Sequence, residues 1–173
     1  IEDAAWGCGG SLDSRPLGAW GRMSTFSFDF AKTMTTGEGG MITTNDEKLY
    51  KKLLMLRTHG ITKESESFEN SIEFAIGSSV MSSAVETYPN WYMEMQTLGF
   101  NYRLTDFQAA LGLSQLNRAD EGLEKRKQIA QIYFNSFKDK SFIKGQSGVV
   151  EGHAYHLYII EVEDRLGLYN YLR

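Results

Sequence analysis

Cysteine is nearly absent from this sequence of 173 residues, where Cys8 stands alone. A single thiol forms no internal disulfide framework and no Cys-based zinc cluster. Its ordinary place is as a small buried apolar residue. Also missing is any run of about 18 apolar residues, the length that a bilayer-crossing helix needs. The opening residues, IEDAAWGCGG, are acidic and glycine-rich where a signal peptide would be basic and then apolar. Positive charge is in deficit, with 18 Lys and Arg against 22 Asp and Glu and a formal net charge of −4. That balance excludes the basic footprint of a general nucleic-acid binder. Metal-ligand spacing is lacking too: His153 and His156 are too scattered, and no carboxylate cluster makes up the set. These absences lead us to expect a soluble protein of a reducing compartment, the cytoplasm, with no membrane or nucleic-acid partner. The sequence opens on Ile1 rather than Met and stops at YNYLR without a closing turn. The expectation is a segment from the middle of a longer polypeptide.

What is present is an ordinary globular composition, 42% hydrophobic and 23% charged, enough for one substantial core. Residues 1–5 read as the end of a buried strand, and a glycine-rich loop with turn signals at Asp13-Ser14 and Arg15-Pro16 follows. Residues 24–28 alternate as a half-buried strand does, with Phe26 and Phe28 on one face. Lys32 then falls just past a strand end. Residues 41–44 read as a second short strand. Asn45 or Asp46 is placed to cap a helix carrying Leu49, Leu53, Leu54 and Leu56, which Gly60 ends. His59, just before that glycine, reads as a helix-terminal capping residue. Residues 63–86 lose all period and become Ser- and Glu-rich, as a long loop or insertion would. Thr105 to Gln108 fits a capping box opening a helix through Phe107, Ala110, Leu111 and Leu116. A further helix carries Leu123, Ala130, Tyr133, Phe134 and Phe137 as a core stripe. Residues 156–162, HLYIIEV, read as a strand. No internal repeat is visible.

A lysine beyond a strand is by itself most often solvated. Here Ser24, Thr25 and Ser27 put hydroxyls beside Lys32, and glycines at 37, 39 and 40 let backbone come close to a ligand. A phosphate-bearing aldehyde cofactor needs such parts: an amine to form an imine, and hydroxyl or N–H donors for the phosphate. It also needs an acid beside its ring nitrogen, and Asp3 at a strand end is placed for that.

The runs EDAAWGCGG, STFSFDFAKTMTTGEGGMITTND, LRTHGI, LGFNYRLTDFQAALGLSQL and HAYHLYII resemble, in order, the landmarks of the DegT/DnrJ-type sugar aminotransferases, a family of homodimeric, fold-type I, pyridoxal-phosphate-dependent enzymes. The resemblance implies an α/β fold: residues 1–104 as the C-terminal part of the large cofactor-binding domain, with 62–89 as an insertion, and residues 105–173 as connecting helices leading into a smaller α+β C-terminal domain. It implies pyridoxal 5'-phosphate as cofactor, with Lys32 as the Schiff-base lysine, Asp3 as partner of the ring nitrogen and Ser27 as a phosphate ligand. Asn101, in GFNYR, would reach the phosphate of the neighbouring subunit in a homodimer with shared sites. The family usually has His or Gln three residues after the aspartate, where this chain has Trp6. The indole N–H keeps one donor there for the cofactor's phenolic oxygen.

The implied reaction moves an amino group from glutamate or glutamine to a keto-sugar, for cell-surface polysaccharide or lipopolysaccharide. The signature SFDFAK with EDAAWGCGG resembles members that aminate an eight-carbon sugar acid, giving the 8-amino form of Kdo. Two other readings of the same fold stand beside this one: a pyridoxamine-dependent sugar dehydratase, in which histidine replaces the lysine, and a catalytically silent sensor or interaction protein. The joint presence of Asp3, Ser27, Lys32 and Asn101 favours the enzyme.

Overall fold

The computed structural model describes residues 1–77, 86–144 and 148–173. In chain order the elements are β1 (Glu2–Asp3), β2 (Ser11–Leu12), β3 (Arg15–Pro16), β4 (Met23–Ser27), β5 (Gly40–Thr44), α1 (Glu47–Arg57), β6 (Ile61–Thr62), a 3-10 turn (Ser65–Ser67), α2 (Ile72–Ile76), β7 (Glu94–Met95), α3 (Asp106–Leu116), α4 (Ala119–Phe137), β8 (Ile143–Lys144), β9 (Glu161–Val162) and α5 (Arg165–Tyr171). They form two compact units, Ile1–Asn45 with Leu104–Arg173, and Asp46–Arg103. Among the described residues no helix is long and apolar enough to cross a membrane.

The first unit is built on a mixed sheet of order β1-β4-β5. β1 runs parallel to β4, with Asp3 opposite Thr25, and β4 runs antiparallel to β5, with Ser27 opposite Gly40. This mixed sheet, in a chain that also carries helices, bears out the α/β expectation. Residues 1–5 are less of a buried strand than expected: only Glu2 and Asp3 pair, and Asp3 is exposed. Alternation explains it, because Glu2 turns inward and its neighbour must then face out. Between β1 and β4, Asp13 and Ser14 take positive φ, 47° and 61°, and join β2 to β3. Two left-handed central residues match the twist of a tight hairpin, and a short polar side chain tolerates them.

The capping box is present at α3: the Gln108 N–H donates to Thr105 Oγ1 at 3.3 Å, and the Thr105 N–H donates to Gln108 Oε1 at 3.0 Å. Gln108 Nε2 also donates to the Glu38 carbonyl at 2.9 Å, tying the helix start to the loop before β5. The stripe on α3 is not a core face within this unit, for Phe107 is 91% exposed and no residue of the helix is buried. Periodicity marks an apolar face but not what covers it. On α4 the stripe does pack: Ala130 is buried, Tyr133 and Phe137 stack, and Tyr158 lies against both rings. The strand expected over 156–162 shortens to Glu161–Val162, paired with Ile143–Lys144. Upstream, the Arg126 guanidinium takes the carbonyls of Tyr155 and His156, at 3.2 and 3.4 Å, so these acceptors are engaged by a side chain rather than by a ladder.

In the second unit Asp46 caps α1, accepting from the Leu49 N–H at 3.1 Å. The chain leaves that helix through His59 and Gly60, both at positive φ, with the Gly60 N–H donating to the Met55 carbonyl. The tract expected to be a structureless loop holds the 3-10 turn and α2; residues 78–85 of it lie outside the described residues. β6 pairs with β7 across it. Glu94, buried, accepts from the N–H groups of Glu69 and Asn70 at 2.7 and 3.0 Å and from the Tyr92 hydroxyl at 2.9 Å. Burial pushes this carboxyl up, but those donors outweigh it and hold its pKa low.

The capping box yields a direct test. Thr105→Ala is expected to destabilise the full chain by about 1 kcal/mol, and Thr105→Ser to recover most of that loss. Denaturant melts at unchanged slope measure it, and an unshifted midpoint for the alanine variant would contradict the assignment.

Candidate active site

The site grows from the carboxyl end of the sheet. Glu2 turns its carboxylate into the glycine-rich loop, where it accepts from the N–H groups of Gly18 (2.7 Å), Trp20 (2.9 Å) and Gly21 (3.2 Å) and from the Ser24 hydroxyl (2.6 Å). Ser24 is wholly buried on β4. Gly18 sits at φ 93° with the Phe26 ring pressed against its α-carbon, leaving no room for a side chain. The Gly18 N–H and then the Ser24 hydroxyl stabilise the charged form, and the Glu2 pKa falls to about 2 although partial burial opposes the shift.

With β1 thus registered on β4, the two parallel strands end on the same side, the side where ligands gather in open α/β sheets. Asp3 stands at the end of β1, exposed, its Oδ1 accepting from the Ala5 N–H at 3.0 Å. Ser27 stands at the end of β4, half-buried. The chain then turns: the Ala31 N–H donates to Asp29 Oδ1 at 2.9 Å and the Lys32 N–H donates to the Asp29 carbonyl at 3.0 Å. This turn presents Lys32, also half-buried. The loop onward to β5 is pinned at both ends, with the Thr36 N–H donating to the Phe28 carbonyl and the Phe28 N–H to the Gly39 carbonyl. Thr36 is buried, and its hydroxyl donates to the Glu38 carbonyl at 2.8 Å.

Lys32 Nζ lies 5.3 Å from the centroid of the Trp6 ring, within reach of a cation–π contact. The His156 imidazole lies 5.4 Å from the same ring, tilted by 41°. Lys32, Trp6 and His156 are therefore one cluster. Asp3 and Ser27 share the sheet end that leads to it. Asn101 belongs to the other unit, exposed, in an isolated antiparallel bridge with Thr58. His59 is in that unit too, its N–H donating to the Phe100 carbonyl at 2.8 Å, and its role is in the backbone turn. Cys8 is half-buried, and burial raises its thiol pKa.

Sequence reasoning missed two members of the neighbourhood. Glu2 was overlooked because its four donors lie 16 to 22 residues away. His156, read as the first residue of a strand, was discounted only as a metal ligand. Its place in the HAYHLYII landmark was the signal available.

The donor set fits a phosphate-bearing aldehyde: an amine on a half-buried turn, an accessible carboxylate, and a hydroxyl at the neighbouring strand end. All three come from the same end of two paired parallel strands.

The sequence model described as the DegT/DnrJ/EryC1/StrS aminotransferase family matches residues 1–172. GDP-perosamine synthase from Escherichia coli O157:H7 is 32% identical over 175 residues, covering 99% of this chain and 41% of that protein. Among solved structures, Helicobacter pylori PseC, an aminotransferase involved in the biosynthesis of pseudoaminic acid, superposes with a TM-score of 0.75 at 27% identity, covering 98% of this chain and 40% of that one. The putative sugar aminotransferase Spr1654 from Streptococcus pneumoniae, in its PMP form, gives a TM-score of 0.71 at 28% identity, covering 94% of this chain and 38% of that one. The match thus spans only about three to four tenths of the length of these relatives.

The depressed Glu2 pKa sets a pH window. Its folded value, about 2, lies below the ordinary 4.5, so its stabilisation is fully present above 4.5 and drains away as pH falls toward 2. Glu2→Gln is expected to lower the melting temperature of the full chain at neutral pH, with the gap to the parent closing across that window. A gap that stays constant down to pH 2 would contradict the clamp.

Proposed function

The chain belongs to the DegT/DnrJ/EryC1/StrS aminotransferase family, and on that premise we propose that it carries the reactive lysine of a pyridoxal-phosphate-dependent sugar aminotransferase. The observation that supports this best is the half-buried Lys32, presented by the turn that leaves the strand paired in parallel with the strand of Asp3. The acceptor is a keto-sugar and the donor is glutamate or glutamine, in line with relatives named for perosamine and pseudoaminic acid synthesis. The runs SFDFAK and EDAAWGCGG narrow the acceptor, in this proposal, to a Kdo-type eight-carbon sugar acid and the product to the 8-amino form for lipopolysaccharide.

Pyridoxal phosphate, when bound, supplies an aldehyde for an amine and a protonated ring that accepts an electron pair. Lys32 Nζ is the amine that would hold it and the base that would carry a proton at the reacting carbon. The Asp3 carboxylate would pair with the ring nitrogen and favour its protonated form by opposite charge. The Ser27 hydroxyl would donate to phosphate, and the Trp6 indole N–H would serve the phenolic oxygen. Asn101 completes the phosphate site of a second subunit in a homodimer. In this proposal residues 1–104 belong to the large domain, with 62–89 inserted in it, and 105–173 lead into the small one.

Lys32→Ala is expected to abolish the visible absorbance of the loaded full chain and to reduce transamination by at least about 10²–10⁴-fold, with the fold intact. Full activity in that variant would sink the assignment. The trans role of Asn101 is tested by mixing inactive Lys32→Ala and Asn101→Ala chains. Heterodimers with one whole site should recover part of the activity, and no recovery from verified, exchanging dimers would overturn the shared site.

A further inference from the structure

Three segments distant in sequence converge on one indole. Trp6 follows β1, Lys32 follows β4 and His156 precedes β9, yet both the ammonium and the imidazole lie against the Trp6 ring, at 5.3 and 5.4 Å from its centroid. The backbone that carries His156 is held in one conformation. Arg126 donates to the carbonyls of Tyr155 and His156, the Tyr155 N–H donates to His153 Nδ1 at 2.9 Å, and the Tyr155 hydroxyl accepts from the Val150 N–H at 2.7 Å. Tyr155 itself takes φ 47°, a left-handed conformation that persists in a non-glycine residue only where the surroundings impose it. The imidazole therefore reaches Trp6 from a fixed support.

Its protonation state follows from what surrounds it. His156 Nδ1 is buried with no hydrogen-bond partner, so a proton placed there would find no acceptor. Among the described residues, the charges acting on the ring are the cations Lys32 and Arg126. Burial first, then Lys32, then Arg126 push the imidazole pKa below its ordinary 6.5. The neutral ring is the form this packing accepts.

We propose that His156 is a positioning residue which, as a neutral imidazole, holds the Trp6 ring against the Lys32 amine, so that protonating His156 dislodges the ring from that amine. The proposal concerns the resting protein, and only its second readout rests on Lys32 being the amine that captures pyridoxal phosphate.

The test follows the indole N–H resonance of Trp6 in the cofactor-free full chain, labelled with 15N, as pH is lowered from about 8 to about 5, a range that brackets histidine titration. In the parent the resonance should titrate with a midpoint below 6.5. His156→Phe keeps an uncharged ring and should abolish the titration while leaving the resonance near its high-pH position. Lys32→Met removes one of the two cations and should move the midpoint upward. A flat parent resonance overturns the proposal, as does a titration that survives in His156→Phe or a midpoint that fails to rise in Lys32→Met. A second readout is the rate at which Lys32 captures added pyridoxal phosphate, expected to fall about two- to tenfold in His156→Ala and to recover in His156→Phe. Phenylalanine doing no better than alanine would leave His156 without a positioning role.

Discussion

The carboxylate of Glu2 receives four donors, three from the loop that leads into β4 and one from β4 itself. That convergence registers β1 on β4, and the rest of the site is placed relative to those two strands. Strand alternation adds the second half of the arrangement. Glu2 faces inward and is consumed by structure, so Asp3, one residue on, must face outward, where its carboxylate is exposed. Two adjacent acids thus face opposite ways, one into the glycine-rich loop and one outward.

From that frame the remaining parts follow by short connections. The turn after β4 is closed by Asp29 through a side-chain and a backbone acceptor, which brings Lys32 back toward the end of β1. The loop that continues to β5 is tied at Phe28 and, through Glu38, to the start of α3 by Gln108. Trp6, in the loop that leaves β1, meets the amine on one contact and an imidazole on another. Lys32 is therefore neither on a free surface nor in a sealed core. It lies against an aromatic ring that also meets the imidazole of His156, 150 residues beyond Trp6 in the chain.

Features that depend on neighbours in sequence were legible without a structure. The Thr105 and Gln108 box, the Asp46 cap, the Asp13-Ser14 turn and the strands either side of Lys32 are each decided by a few consecutive residues, and each is where those residues place it. Features decided by partners far along the chain were not. The run HLYIIEV reads as a long strand, but Arg126 engages the carbonyls of Tyr155 and His156 and pairing begins only at Glu161. The apolar face of α3 was visible as a period, while its exposure depends on what lies opposite it. Glu2 and His156 escaped notice for the same reason: a carboxylate beside a more conspicuous aspartate, and a histidine in an apolar run, reveal their roles only when distant donors and rings are brought to them.

The account stands or falls on Lys32 being the amine that captures the cofactor. The most direct measurement is to load the full chain with pyridoxal phosphate, reduce the bond with borohydride and locate the modified residue by peptide mass spectrometry. The account predicts the modification on Lys32, in the peptide that carries STFSFDFAK. Modification at another lysine, or none under conditions in which the protein is folded, would contradict it.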